Sequence, residues 1–314
     1  MKSRRALWSM ASLVAITAAA LAGCGSSSDD AGGSGGSPGT GATGGDSAVR
    51  VVASTNVYGD IVAQIGGDKV QVTSIIADPD QDPHSYEADS RTQLALSKAD
   101  LVVENGGGYD DFVDRMLSSA GASPTTLNVV KLSGKTAPAG GELNEHVWYD
   151  FPTVRKLAAK LAVDLSKEDP AGAAVFEANA ATLTKKLTTL EAGEAAVRSA
   201  HPGAGVAITE PVPLYLLSAC GLVNKTPAEF SEAIEEGEGV PVRVLDQTLR
   251  LFTSKAVDLL AYNEQTSGPE TEKVLAAAKE NGVAVVPVTE TLPNGKDYIG
   301  WMTANLDAVK AALS

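Results

Sequence analysis

DPAGAAVFEANAATLTKKLTTLEAGEAAVRSA, residues Asp169 to Ala200, decides the architecture of this 314-residue chain. Asp169-Pro170 reads as an N-cap followed by proline at the first helical position, where a missing N–H leaves no bond unmade. Phe176, Leu183, Leu187, Leu190 and Val197 then recur at spacings of 3, 4 or 7, which is the apolar stripe of a helix. Unbroken, such a helix has about thirty residues and a length of roughly 45 Å at 1.5 Å rise per residue. A break into two helices near Gly193 is the other reading. Either way, residues 152–202 carry no strand signal and form a stiff bridge that opposes large hinge closure.

On both sides of this bridge, apolar runs alternate with amphipathic ones. Before it, Val49–Ser54, Val70–Ile76, Leu101–Glu104 and Thr126–Leu132 read as strands. Helices are expected at Gly59–Ile65, Ser90–Ser97 and Tyr109–Ser119. After it, strands are expected at Val206–Thr209, Ala256–Tyr262 and Val283–Val288. The helices there are Pro213–Leu222, Val242–Thr253, Glu270–Asn281 and Tyr298–Leu313. Wholly apolar strands separated by helices imply parallel sheets covered on both faces. The expected fold is therefore α/β, with two Rossmann-like lobes joined by a long rigid helix. The N-terminal lobe spans 48–151, the connecting helices 152–202 and the C-terminal lobe 203–314.

The N-terminal segment reads as an address. Lys2, Arg4 and Arg5 precede an apolar stretch from Ala6 to Ala22, ending at Leu21-Ala22-Gly23-Cys24. That stretch is short for a spanning helix, which needs about 20 residues, and has the pattern of a secretory signal. A cysteine directly after Leu-Ala-Gly resembles a bacterial lipobox, which implies cleavage after Gly23 and lipid on the Cys24 sulfur. Residues 24–47, rich in Gly, Ser, Asp, Ala and Thr, cannot build a core and are expected to be a flexible tether. Its r.m.s. reach is roughly 25 Å.

Losing residues 1–23 removes three cations and no anion, taking the net charge from −14 to −17. So acidic a body, without a basic stripe, argues against nucleic-acid binding and suits handling of cations. Cys220 is the only cysteine besides Cys24, so the body holds no internal disulfide. It lies in an apolar stretch and reads as a buried small hydrophobe.

Only three histidines occur. Two sit in polar turns with carboxylates and aromatics beside them, in Asp82-Pro83-His84-Ser85-Tyr86-Glu87 and Asn144-Glu145-His146-Val147-Trp148-Tyr149-Asp150. Imidazole and carboxylate together suit Mn, Fe or Zn. Taken singly, each turn reads as an ordinary polar loop; what matters is position. In open α/β sheets ligands bind beyond the carboxyl ends of the strands. His84 and His146 follow strands of the first lobe, and Glu210, Glu264 and Glu290 follow strands of the second. Two imidazoles and several carboxylates thus gather at facing strand ends. His201, in His201-Pro202-Gly203, reads as a helix-terminal cation and not a ligand.

Two other patterns fail. Asp78-Pro79-Asp80-Gln81-Asp82 begins like a calcium loop, but Pro83 stands where the turn requires Gly. Gly134-Lys135-Thr136 ends like a phosphate-binding loop, but Val129 replaces its first Gly.

The combination resembles the zinc/manganese solute-binding lipoproteins of ABC importers, the cluster A-I or TroA-like family. The likeness runs from Val51-Val52-Ala53-Ser54-Thr55-Asn56 to Leu306. It includes both histidine runs, Glu210, Thr289-Glu290-Thr291-Leu292, Tyr298 and Asn305-Leu306-Asp307. The resemblance implies one metal held between the lobes by His84, His146, Glu210 and Glu290. Many zinc members carry His at the third position and manganese members carry Glu. The fourth is usually Asp, so Glu290 departs by one methylene. Enteric zinc importers have a long His-rich loop before the second histidine, whereas Thr136 to Glu145 is short and has no histidine.

Two nitrogens and two carboxylates place Mn2+ slightly ahead of Zn2+ and admit Fe2+. Glu264 reads either as a hydrogen-bond partner of a ligand histidine or as a surface carboxylate; Glu145 and Asp150 share that ambiguity. The expected partners are an ABC permease with its ATPase and the membrane through Cys24, and the body is expected to be a monomer outside the cytoplasm. A metallohydrolase with Glu264 as general base is the competing enzyme reading. Four protein ligands would close the shell to water and oppose it. A surface adhesin is the third reading, and no residue pattern favours it.

Overall fold

Val51, Val52 and Ala53 are buried on both faces of their strand, and Leu101, Val102 and Val103 are likewise fully enclosed. Such strands require cover on both sides, and the helices supply it. The computed structural model describes residues 48–139 and 141–314. The expected signal segment, Cys24 and the tether therefore lie outside the described residues.

In the first lobe, β1 (Val49–Thr55), β2 (Val70–Ile76), β3 (Leu101–Glu104) and β4 (Thr125–Asn128) form a parallel sheet in the order β2-β1-β3-β4. Helices α1 (Asn56–Gly66), α2 (Ser90–Ser97), α3 (Phe112–Ala120) and α4 (Val129–Ser133) connect and follow them. In the second lobe, β5 (Gly205–Ile208), β6 (Val223–Asn224), β7 (Leu259–Asn263) and β8 (Ala284–Val288) repeat the plan as β6-β5-β7-β8, again parallel. Both sheets change strand direction of growth between their first and third strands, where such sheets open a crevice for ligand.

Between the lobes lie α5 (Phe151–Glu168) and α6 (Ala173–Ala200), the latter running unbroken through Gly193 for 28 residues. Asp169 caps a short 3-10 turn, Pro170–Gly172, by accepting from the Ala171 N–H at 3.0 Å, and α6 starts from that turn. Phe176, Leu183, Leu187, Leu190 and Val197 are all buried, as their spacing requires. Full burial of each such side chain contributes about 1.5–3 kcal/mol.

α7 (Leu214–Ala219), α8 (Ala228–Glu235), α9 (Val242–Thr253), α10 (Pro269–Glu280) and α11 (Tyr298–Ala312) complete the second lobe. One apolar cluster runs from Val51 and Ile61 through Leu157 and Leu187 to Ile208, Val286 and Met302. The lobes thus share a core. Among the described residues no helix is long and apolar enough to cross a membrane.

Two local expectations are corrected. The strand expected over Thr126–Leu132 stops at Asn128, whose side chain accepts from the Lys131 N–H at 2.9 Å and turns the chain into α4. The edge strand β6 and helix α8 were not expected at all. A two-residue edge strand has no periodicity to read, but Thr226-Pro227-Ala228-Glu229 is a helix-start pattern that announces α8.

Candidate metal centre

His84 sits in a 3-10 turn, Pro83–Ser85, beyond the end of β2. Asp82 sets that turn by accepting from the His84 N–H at 2.9 Å, and Pro83 supplies the fixed backbone angle. His146 lies one residue before another 3-10 turn, Val147–Tyr149, and its ring is fully buried against Trp148, with centroids 5.1 Å apart. Asn144 accepts from the His146 main-chain N–H at 3.0 Å and from the ring Nδ1 at 2.8 Å. That bond assigns the proton to Nδ1 and turns the Nε2 lone pair into the crevice.

From the second lobe, Glu290 follows β8 and is anchored by its N–H to Gln265 Oε1 at 2.6 Å. Its Oε2 lies 3.3 Å from His84 Nε2 and 3.6 Å from His146 Nε2. Glu210 follows β5, and the Asn263 amide at the end of β7 donates both to Glu210 Oε2 and to Glu290 Oε1, the latter at 3.0 Å. One amide therefore orders two carboxylates that would otherwise repel.

His84, His146 and Glu290 can direct one donor atom each into a sphere where all lie within 4.8 Å of one another. Glu210 stands beside this triad, coupled to it through Asn263. Glu235, at the end of α8, joins them: its Oε1 lies 3.5 Å from His146 Nε2. Sequence reasoning missed Glu235 together with its helix.

His146 Nε2, Glu210 Oε1, Glu235 Oε1 and Glu290 Oε2 are all buried without a hydrogen-bond partner among the described residues. Each such atom costs about 1–3 kcal/mol, more when charged. Three of them meet, with Glu235 Oε1 3.5 Å and Glu290 Oε2 3.6 Å from His146 Nε2, and N/O donors of this kind fit a divalent transition metal.

Electrostatics agree. Burial lowers the His84 imidazole pKa, but the Glu290 carboxylate 3.3 Å away and the charges of Glu235 and Glu145 outweigh it, carrying it up to about 9. The same balance raises His146. Burial alone would raise Glu290, yet the two imidazoles hold it well below the ordinary carboxylate range. Burial and the Glu290 charge push Glu210 up to about 7. Burial lifts Glu235 to about 8, against the opposing pull of His146.

Glu264 is exposed and lines a separate cavity with Pro79 and Pro287. Its carboxylate makes no hydrogen bond to either imidazole among the described residues; its neighbour Asn263 contacts the site instead. Asp150 caps α5 through Thr153 and pairs with Lys135 at 3.1 Å. His201 ends α6, and lines a different cavity with Asp258 and Ser314. Cys220 is buried and unpaired.

The manganese ABC transporter substrate-binding lipoprotein scaA of Streptococcus gordonii is 25% identical over 288 residues, covering 85% of this chain and 90% of its own. The periplasmic zinc-binding protein TroA of Treponema pallidum superposes with a TM-score of 0.72 at 20% identity, covering 85% of this chain and 100% of its own. The solute-binding protein FpvC of Pseudomonas aeruginosa, solved with Mn2+, gives a TM-score of 0.70 at 24% identity, covering 85% and 99%. The family model of zinc-uptake complex component A, periplasmic, matches residues 51–312. With that match spanning both lobes and the bridge between them, the chain belongs to the zinc-uptake complex component A family.

Proposed function

We propose that this protein captures one divalent transition-metal ion, Mn2+ or Zn2+, between its lobes and delivers it to the permease and ATPase of an ABC importer. The observation that carries this reading is the convergence of buried, unpartnered acceptors from both lobes on one point. The family match and the metal-transport relatives support it. In this reading residues 1–23 are a removed signal peptide, Cys24 carries the lipid, and residues 24–47 tether a monomeric body outside the cytoplasm. The body itself divides at 48–151, 152–202 and 203–314.

His84 and His146 bind the ion as neutral imidazoles, and Glu290 and Glu210 bind it as carboxylates. Asn144 keeps the His146 lone pair directed inward, and Asn263 keeps the two carboxylates together. Burial of His146, Glu210 and Glu290 excludes competing water. With Glu210 in the third position, the donor set leans to Mn2+, and Zn2+ remains acceptable to the same atoms.

Isothermal titration with Mn2+ and with Zn2+ tests the assignment. His84→Ala and His146→Ala each lose more than about 100-fold in affinity, beyond the loss from removing a ligand-orienting partner. His201→Ala keeps the native affinity. Tight binding retained in both ligand variants, or a comparable loss in His201→Ala, overturns the assignment.

A further inference from the structure

His84 belongs to a second group of donors. One atom each from His84, Glu145 and Glu235 also falls within 4.8 Å of the others, on the solvent side of the inner centre. Glu235 Oε1 is buried, has no hydrogen-bond partner among the described residues and faces His146 Nε2 at 3.5 Å. Its side chain is 10% exposed, against 25% for His84 and 1% for Glu290, so exposure falls stepwise from the mouth inward. Glu145 is held by its main chain, whose carbonyl accepts from Asn105 Nδ2 at 3.0 Å, while its carboxylate makes no hydrogen bond among the described residues.

All three residues line a cavity of about 830 Å³. Glu142, Glu232 and Glu236 also line it, and among the described residues no Lys or Arg does. A cleft lined by one sign of charge concentrates the opposite ion and raises its rate of arrival.

We propose that His84, Glu145 and Glu235 form an entry station for the divalent metal ion, from which His84 and Glu235 pass it to the inner centre. The proposal rests on the metal-capture reading above. His84 is common to both stations, and Glu235 reaches the His146 nitrogen without leaving the outer group. Transfer is then a stepwise exchange of ligands, in which the ion is never without a protein donor.

Stopped-flow mixing with Zn2+ or Mn2+, read by fluorescence of Trp148 beside His146, tests the station in the full-length body. Glu235→Gln is expected to slow association at least tenfold while the dissociation rate changes much less. Glu280→Gln, an exposed carboxylate at the end of α10 that lines neither this cavity nor the one beside it, keeps the native rate. If Glu235→Gln lacks a native thermal transition, Glu145→Gln takes its place and is expected to show the same slowing. A native association rate, or a change confined to dissociation, overturns the station. Failure of the unsubstituted protein to bind either metal would instead overturn the capture reading.

Discussion

At the scale of single residues, protons stand in for the metal. Glu290 lies between two imidazoles whose proton affinity it raises, with His84 carried up to about 9. An ordinary histidine titrates near 6.5, so without a metal His84 keeps its proton well above that, and His146 shifts in the same direction. A raised histidine stabilises the folded protein below its unfolded value, and this contribution is lost as pH rises through about 9. The metal must displace those protons, so affinity falls as pH falls, and the dependence is already running between pH 9 and 7. Glu210 at about 7 and Glu235 at about 8 add to the slope. Titration calorimetry at pH 7.5 in two buffers of different ionisation enthalpy should therefore register about one proton or more released per Mn2+ bound. A zero release would contradict the arrangement. Local sequence placed His84, His146, Glu210 and Glu290 after strands; the pairing of Glu290 with both rings joins residues 206 and 144 positions apart, which no local pattern reports.

At the scale of elements, the bridge helix was the most legible part of the chain. Its apolar spacing survives folding because a stripe of Leu and Val has to be buried, and α5, α1 and α11 all pack on α6. Glu194 on that helix departs from the pattern: it is 4% exposed, and its Oε1 has no hydrogen-bond partner among the described residues. Burial, then the charges of Glu191 and Asp150, push its carboxyl up to about 8, with Arg198 opposing. For an acid raised in this way, stability is fully present below the unfolded value and is lost as pH rises through about 8. Glu194→Gln should therefore stabilise the protein at pH 8.5 by on the order of 1–3 kcal/mol and change little at pH 5, measured by chemical denaturation at both. Equal effects at the two pH values would rule out the buried charge as the cause. Short elements were less legible, because their ends are set by side-chain caps such as Asn128 and by packing, not by periodicity.

At the scale of the whole molecule, the lobes are held by more than the bridge. Asn56 donates to the Leu292 carbonyl at 3.0 Å and accepts from its N–H at 2.8 Å. Gln265 and Thr291 bind the Pro79 carbonyl, Tyr149 donates to Thr289 at 2.8 Å, and Tyr215 donates to Asn144 at 2.7 Å. Wide opening would break all of these and split a common core. Small-angle scattering with and without metal should show no measurable change in radius of gyration, with release confined to loops such as the one after α8; a clear expansion without metal would establish hinge opening instead. By itself the sequence determined the two parallel sheets, the helix between them and the strand ends at which donors collect, because burial periodicity and strand-end position are local properties. Only the tertiary structure decided which donors meet. It brought Glu235 in on a helix end, turned Glu264 out to solvent and set Asn263 between two carboxylates, since those placements depend on the packing of lobe against lobe.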